Sequence, residues 1–193
     1  MDSNSAEAAR HELEVQRLAS LTTEFYAAAR SSDDLAVFLR LHLFFERALT
    51  DRITNAFQVK EAIDWDGLNA PEFILRCKMA RALGIFTELD YSFAKRTARI
   101  RNELAHRLNR MLDEQDYIDL YRLVDREAQE VTDLLKAESA GTEQWQSRPL
   151  WLRGIISILW FKTVVLMVPT NLKDFLVLQI RNLNFLRGPI SPQ

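Results

Sequence analysis

The sequence predicts an all-α protein. Glycine and proline are scarce, five of each in 193 residues, which disfavours a turn-rich β fold. Apolar residues recur at three- and four-residue steps over long stretches, and the breaks between these stretches carry helix-capping residues. Hydrophobic residues make up 48% of the chain, enough for a sizeable core. The formal net charge is −2, so the molecule as a whole has no nucleic-acid signature, and any phosphate-binding surface must be local.

The elements follow in order. Residues 6–30 are expected to form an N-terminal helix, with Leu13, Leu18, Leu21, Phe25 and Ala28 as its stripe. Ser31-Ser32-Asp33-Asp34 is a break in which Ser32 or Asp33 caps the next helix. That helix should run to about Phe57, with Leu35, Phe38, Leu41, Phe45, Leu49 and Ile53 on one face, widened by Phe44, Ala48 and Ala56. Residues 60–70 read as a loop around Asp64-Trp65-Asp66-Gly67. A helix from Pro71 to Leu83 should stop at Gly84. Thr87 or Asp90 should cap a helix from about Tyr91 to Leu112. A single helix is expected from Gln115 to Ala137, with Tyr117, Leu120, Leu123, Val124, Val131 and Leu134 on its apolar side.

Composition divides the chain into an N-terminal helix (1–32), a helical bundle (33–138), a linker (139–148) and a hydrophobic, basic C-terminal extension (149–193). The extension has Asp174 as its one acid against Arg153, Lys162, Lys173, Arg181 and Arg187. Its Gly154–Val168 run is the most apolar in the chain. As a helix it would span about 22 Å, short of a hydrocarbon core of about 30 Å, and Lys162 sits in its middle. Packing on the bundle or between subunits is the expected role. Membrane association through 149–193 is the less favoured one, and Thr163–Val168 suits a strand equally. After Pro169, Leu172, Leu176, Ile180, Leu183 and Leu186 give a second stripe.

Cys77 stands alone, so neither an internal disulfide nor a Cys/His zinc site is expected, and a reducing cytoplasm is the simplest compartment. The first residues lack the basic and apolar regions of a signal peptide. No Gly-rich phosphate loop or Gly-x-Ser-x-Gly elbow occurs, and no cofactor or metal is called for.

Chemistry concentrates between Lys95 and Arg110. Lys95, Arg96, Arg99, Arg101, Arg107 and Arg110 crowd there, opposed by Glu103, and such a run suits RNA phosphate. Asn102 and His106, four apart, share a helix face, and Arg101 lies about 100° round from Asn102. Histidine exchanges a proton near neutrality, while arginine stays charged and clamps phosphate oxygens. A base that takes the ribose 2′-OH proton and a cation that stabilises the phosphorane suffice to cut RNA without metal. The second acid–base role would come most economically from a second copy across a twofold axis.

The segment Phe73-Ile74-Leu75-Arg76-Cys77-Lys78-Met79-Ala80-Arg81-Ala82-Leu83-Gly84-Ile85-Phe86, followed by Ile100-Arg101-Asn102-Glu103-Leu104-Ala105-His106, resembles the HEPN superfamily. Its order is most similar to the mannitol-operon-repressor branch, and the resemblance covers roughly residues 33–137. It implies a four- or five-helix bundle that often dimerises. It also implies a metal-independent endoribonuclease, a toxin or phage-defence effector, with Arg101, Asn102 and His106 as the catalytic set and Lys95, Arg96, Arg99, Arg107 and Arg110 as RNA contacts. Partners would be RNA, a second copy, and an antitoxin or regulatory protein. The alternative it implies is an inactive module that works through protein or nucleotide binding. His42 and Glu46, one turn apart, either support the motif helix or form a local histidine–carboxylate pair, the latter being the expectation. His11 is expected to be exposed, and Cys77 to belong to the core.

Overall fold

The computed structural model describes Glu24, residues 33–57, Trp65, and residues 71–107, 109–137 and 143–167. The helix expected over 6–30 (apart from Glu24, which is helical), His11, the 60–70 loop other than Trp65, and the stripe from Leu172 to Leu186 lie outside the described residues. The described residues are helical, with no strand among them: α1 (Asp34–Ala56), α2 (Phe73–Ala82), α3 (Glu88–His106), α4 (Glu114–Arg122), α5 (Arg126–Ala137), the short α6 (Glu143–Gln146) and α7 (Leu150–Met167).

Asp33 caps α1 by accepting from the N–H groups of Leu35 and Ala36 at 3.0 and 3.2 Å. The predicted face of α1 is buried from Phe38 to Ile53, joined by Val37, His42 and Ala48, whereas Leu35 and Ala56 are exposed. α2 ends in a Schellman motif. Ile85 N–H donates to the Ala80 carbonyl (2.9 Å) and Gly84 N–H to that of Arg81 (3.1 Å), with Gly84 at φ +71°. Thr87 and Asp90 form a reciprocal capping box that starts α3.

Two expected boundaries move. α3 ends at His106 rather than Leu112, because Arg107 is extended and Arg110 is drawn away to carboxylates of α4 and its cap. The helix expected over 115–137 is two helices. Asp125 accepts from Ala128 N–H at 2.8 Å and so caps α5, while the Gln129 amide donates to the Tyr121 and Val124 carbonyls left open at the end of α4. The break shifts the helical phase: Leu135 is buried and Leu134 is exposed, the reverse of what one continuous stripe requires.

The centre of the molecule is α7, which is helical through Met167 and packs along α1, α4 and α5. Its apolar side chains are buried all round, as expected of a helix enclosed by others. By length and composition it also passes as a membrane span, and 72% of it is buried within this bundle. Gly154 admits the Tyr117 ring so closely that a Cβ there would collide with it. Lys162 reaches Asp90 at 2.8 Å and Asp125 at 3.4 Å, so its charge is paired inside the fold.

Candidate functional site

α3 presents the motif. Its N-terminal half is fixed by buried Phe93, Ala94, Thr97 and Ala98, and its last turns by Ile100 and Leu104. The charged residues between these anchors must therefore point outward or toward α4. Arg96 turns to α4, where it pairs with Asp116 at 3.0 Å and Asp119 at 2.9 Å. Arg110 grips both oxygens of Asp116 at 2.6 Å and lies 3.3 Å from Asp113 and 3.5 Å from Glu103. The Asp116 carboxylate is 1% exposed, so these two arginines neutralise a buried charge and tie α3 to α4. Arg99 pairs with Glu103 at 3.0 Å, and the Lys95 ammonium lies 5.5 Å from the centre of the Tyr91 ring. Hydrogen bonding from Arg99, against a smaller opposing effect of burial, and from Arg110 holds the Glu103 carboxyl below its usual range.

Three residues keep free chemistry. Arg107, extended and exposed, follows the last helical residue. His106 is exposed at the helix end. Arg101 is half-buried, donates to Asn102 Oδ1 at 2.9 Å, and has no carboxylate partner among the described residues.

Arg101 and His106 face different ways. Five residues on a helix are about 140° apart, and each side chain lines its own depression. The first, about 390 Å³, is bounded by His42, Glu46, Pro71, Glu72, Phe73, Ile74, Arg76, Ala98, Arg101 and Asn102. The second, about 490 Å³ and more open, is bounded by Ile74, Lys95, Ala98, Arg99, Asn102, Glu103, His106 and Arg107. Ile74, Ala98 and Asn102 belong to both, so the depressions adjoin along the Asn102 face of α3.

Comparison with protein-family models, with curated proteins and with solved structures found no match.

The imidazole that shares Arg101's depression is that of His42. Its side chain is buried, and neither ring nitrogen has a hydrogen-bond partner. The expected pairing with Glu46 does not form: Glu46 lies 3.6 Å from Arg76, and His42 instead packs its ring 4.9 Å from that of Phe73. Burial first, and then the charge of Arg101, lower the His42 pKa to about 4, so the ring is neutral at pH 7. Arg76 had no role in the sequence reading. It is pinned by the Pro71 carbonyl (2.8 Å), Thr50 Oγ1 (2.8 Å) and the Trp65 carbonyl (3.4 Å). Its signal was available, since Arg76 lies in the same stretch as Cys77 and Gly84, but nothing in spacing alone directs it toward α1. Cys77 is core, as expected. Burial, then the Glu46 carboxylate, push its thiol up to about 12, so it stays protonated. Among the described residues no group of three His, Cys, Asp or Glu is placed to hold a metal.

Proposed function

We propose that this chain is a metal-independent endoribonuclease of the HEPN type, a toxin or phage-defence effector, whose active site is shared between two copies. One observation carries the reading. The fold neutralises Arg96 and Arg110 on Asp116, yet leaves Arg101, His106 and Arg107 at the end of the same helix without carboxylate partners among the described residues. Charge left uncompensated in two adjoining open depressions suits a polyanion threaded across them. His106 would take the proton from a ribose 2′-OH. The 2′-oxygen then attacks phosphorus to form a 2′,3′-cyclic phosphate, the 5′-oxygen leaves with a proton returned by an imidazolium, and Arg101 stabilises the phosphorane. Arg101 and His106 of one copy line different depressions, so the productive pair would take Arg101 from one copy and His106 from the other.

The test is RNA cleavage in chelator. His106→Ala and Arg101→Ala should each lower the rate by about 100-fold or more. Mixing the two inactive variants should restore about a quarter of wild-type activity, because random pairing makes about half the dimers mixed and each mixed dimer has one intact site of two. Wild-type protein that cuts no RNA sinks the nuclease. Single-variant losses without restoration on mixing sink the shared site.

The separation of the two side chains also favours a second reading, a catalytically inactive HEPN-type regulatory module that binds a nucleotide or a protein. On that reading His106→Ala leaves partner capture unchanged, and wild type and variant are equally without cleavage.

A further inference from the structure

The depression beside Arg101 has features that RNA cleavage does not use. Three elements wall it: His42 and Glu46 of α1, the start of α2 from Pro71 to Arg76, and Arg101 with Asn102 on α3. We propose that it is a binding site for a small organic phosphate monoester, with the phosphate between Arg101 and the first-turn N–H groups of α2, and the organic body against His42 and Glu46.

The phosphate end rests on charge and on a helix terminus. The first N–H groups of any α-helix lack intrahelical acceptors and carry partial positive charge. In α2, ten residues long, the N-cap is Glu72, which makes no capping bond, and the first turn holds no acid. An oxyanion at that terminus receives donors already oriented toward it. Arg101 adds a full charge with no carboxylate to satisfy it, and Arg76 is held rigidly in the wall by its three oxygen partners.

The organic end rests on His42. Its ring is 1% exposed and both nitrogens lack partners. A polar group left in that condition costs about 1–3 kcal/mol, which the fold has no packing reason to retain. A neutral imidazole offers one donor and one acceptor, and the Glu46 carboxylate one turn on accepts further donors. Hydroxyl or amino groups match that pair, whereas a second phosphate would meet the Glu46 charge. The volume, about 390 Å³, exceeds what a bare phosphate needs and lies within the size of small-ligand sites. Sugar phosphates and nucleoside monophosphates share this chemistry. The site stands whether or not His106 cuts RNA.

The experiment is calorimetric titration of the full chain at low salt with adenosine 5′-monophosphate, glucose 6-phosphate, inorganic phosphate and adenosine. At least one monoester should bind about tenfold or more tightly than inorganic phosphate and adenosine, and which one identifies the source of the organic body. Arg101→Gln should weaken that monoester by about tenfold, and Glu46→Gln, an isosteric change, by about threefold. His42→Leu should weaken it similarly while RNA cleavage, if present, is kept, which separates this site from the reaction. If neither monoester exceeds inorganic phosphate, or if folded Arg101→Gln and Glu46→Gln bind as wild type does, the proposal is overturned.

Discussion

The middle of α3 and its last turn are built from the same residue types and end in opposite situations. Arg96 is held, with Arg110 from the following loop, by a carboxylate that is 1% exposed. Arg101 and His106, one and two turns further on, meet no carboxylate among the described residues. The difference comes from what lies alongside. α4 starts with a capping box in which Asp116 is both the reciprocal cap and the anchor for two guanidinium groups, and it covers one side of α3. Beyond that side, α3 borders open depressions. A run of cations on one helix is thus two populations, sorted by the neighbour and not by the helix itself.

The sharpest way to break the contrast is to remove the anchor. Asp116→Ala leaves Arg96 and Arg110 confronting each other without their shared acid and removes half of a capping box, so it should lower unfolding free energy by about 3 kcal/mol or more in urea denaturation. Next in size is an effect of pH. The folded state keeps His42 neutral down to about pH 4, whereas an unfolded histidine protonates near 6.5. Between those values the unfolded state binds the extra proton, so stability should fall as pH drops through that window, by up to roughly 3 kcal/mol. His42→Leu should flatten this fall. A further loss should remain below about pH 4. Burial raises the Asp90 pKa, but the charge and hydrogen bond of Lys162 and the hydrogen bonds of Thr87 outweigh it, so the stability Asp90 contributes disappears only as pH falls through its lowered pKa. The smallest effect belongs to the open end. His106→Ala should change unfolding free energy by less than about 0.5 kcal/mol, and a larger loss would mean that His106 is a structural residue.

The all-α class, the capping of α1 by Asp33, the glycine stop after α2 and the core position of Cys77 were legible because each rests on a local signal: a spacing, a cap or a turn residue. What was not legible depends on chain-distant partners. Nothing near Arg96 or Arg110 in sequence announces that Asp116 will claim both, so they read as members of one basic face. Nothing in the spacing of His42 and Glu46 reveals that Arg76, from another helix, takes the carboxylate and leaves the imidazole alone. The break between α4 and α5 had a local signal in Asp125. It was hidden by an apolar periodicity that continues across it. The lysine within the apolar Gly154–Val168 run was visible, but its two acids lie 72 and 37 residues away.

Those two acids give Lys162 a consequence for assembly of the fold. Asp90 completes the cap of α3 and Asp125 supplies the cap of α5, and one ammonium on α7 touches both. A single late-synthesised side chain thereby latches the beginnings of two earlier helices, one of which carries Arg101 and His106. Sliding α7 by a single turn would unlatch both together, so the position of the motif helix is tied to the seating of a segment that follows it by half the chain's length.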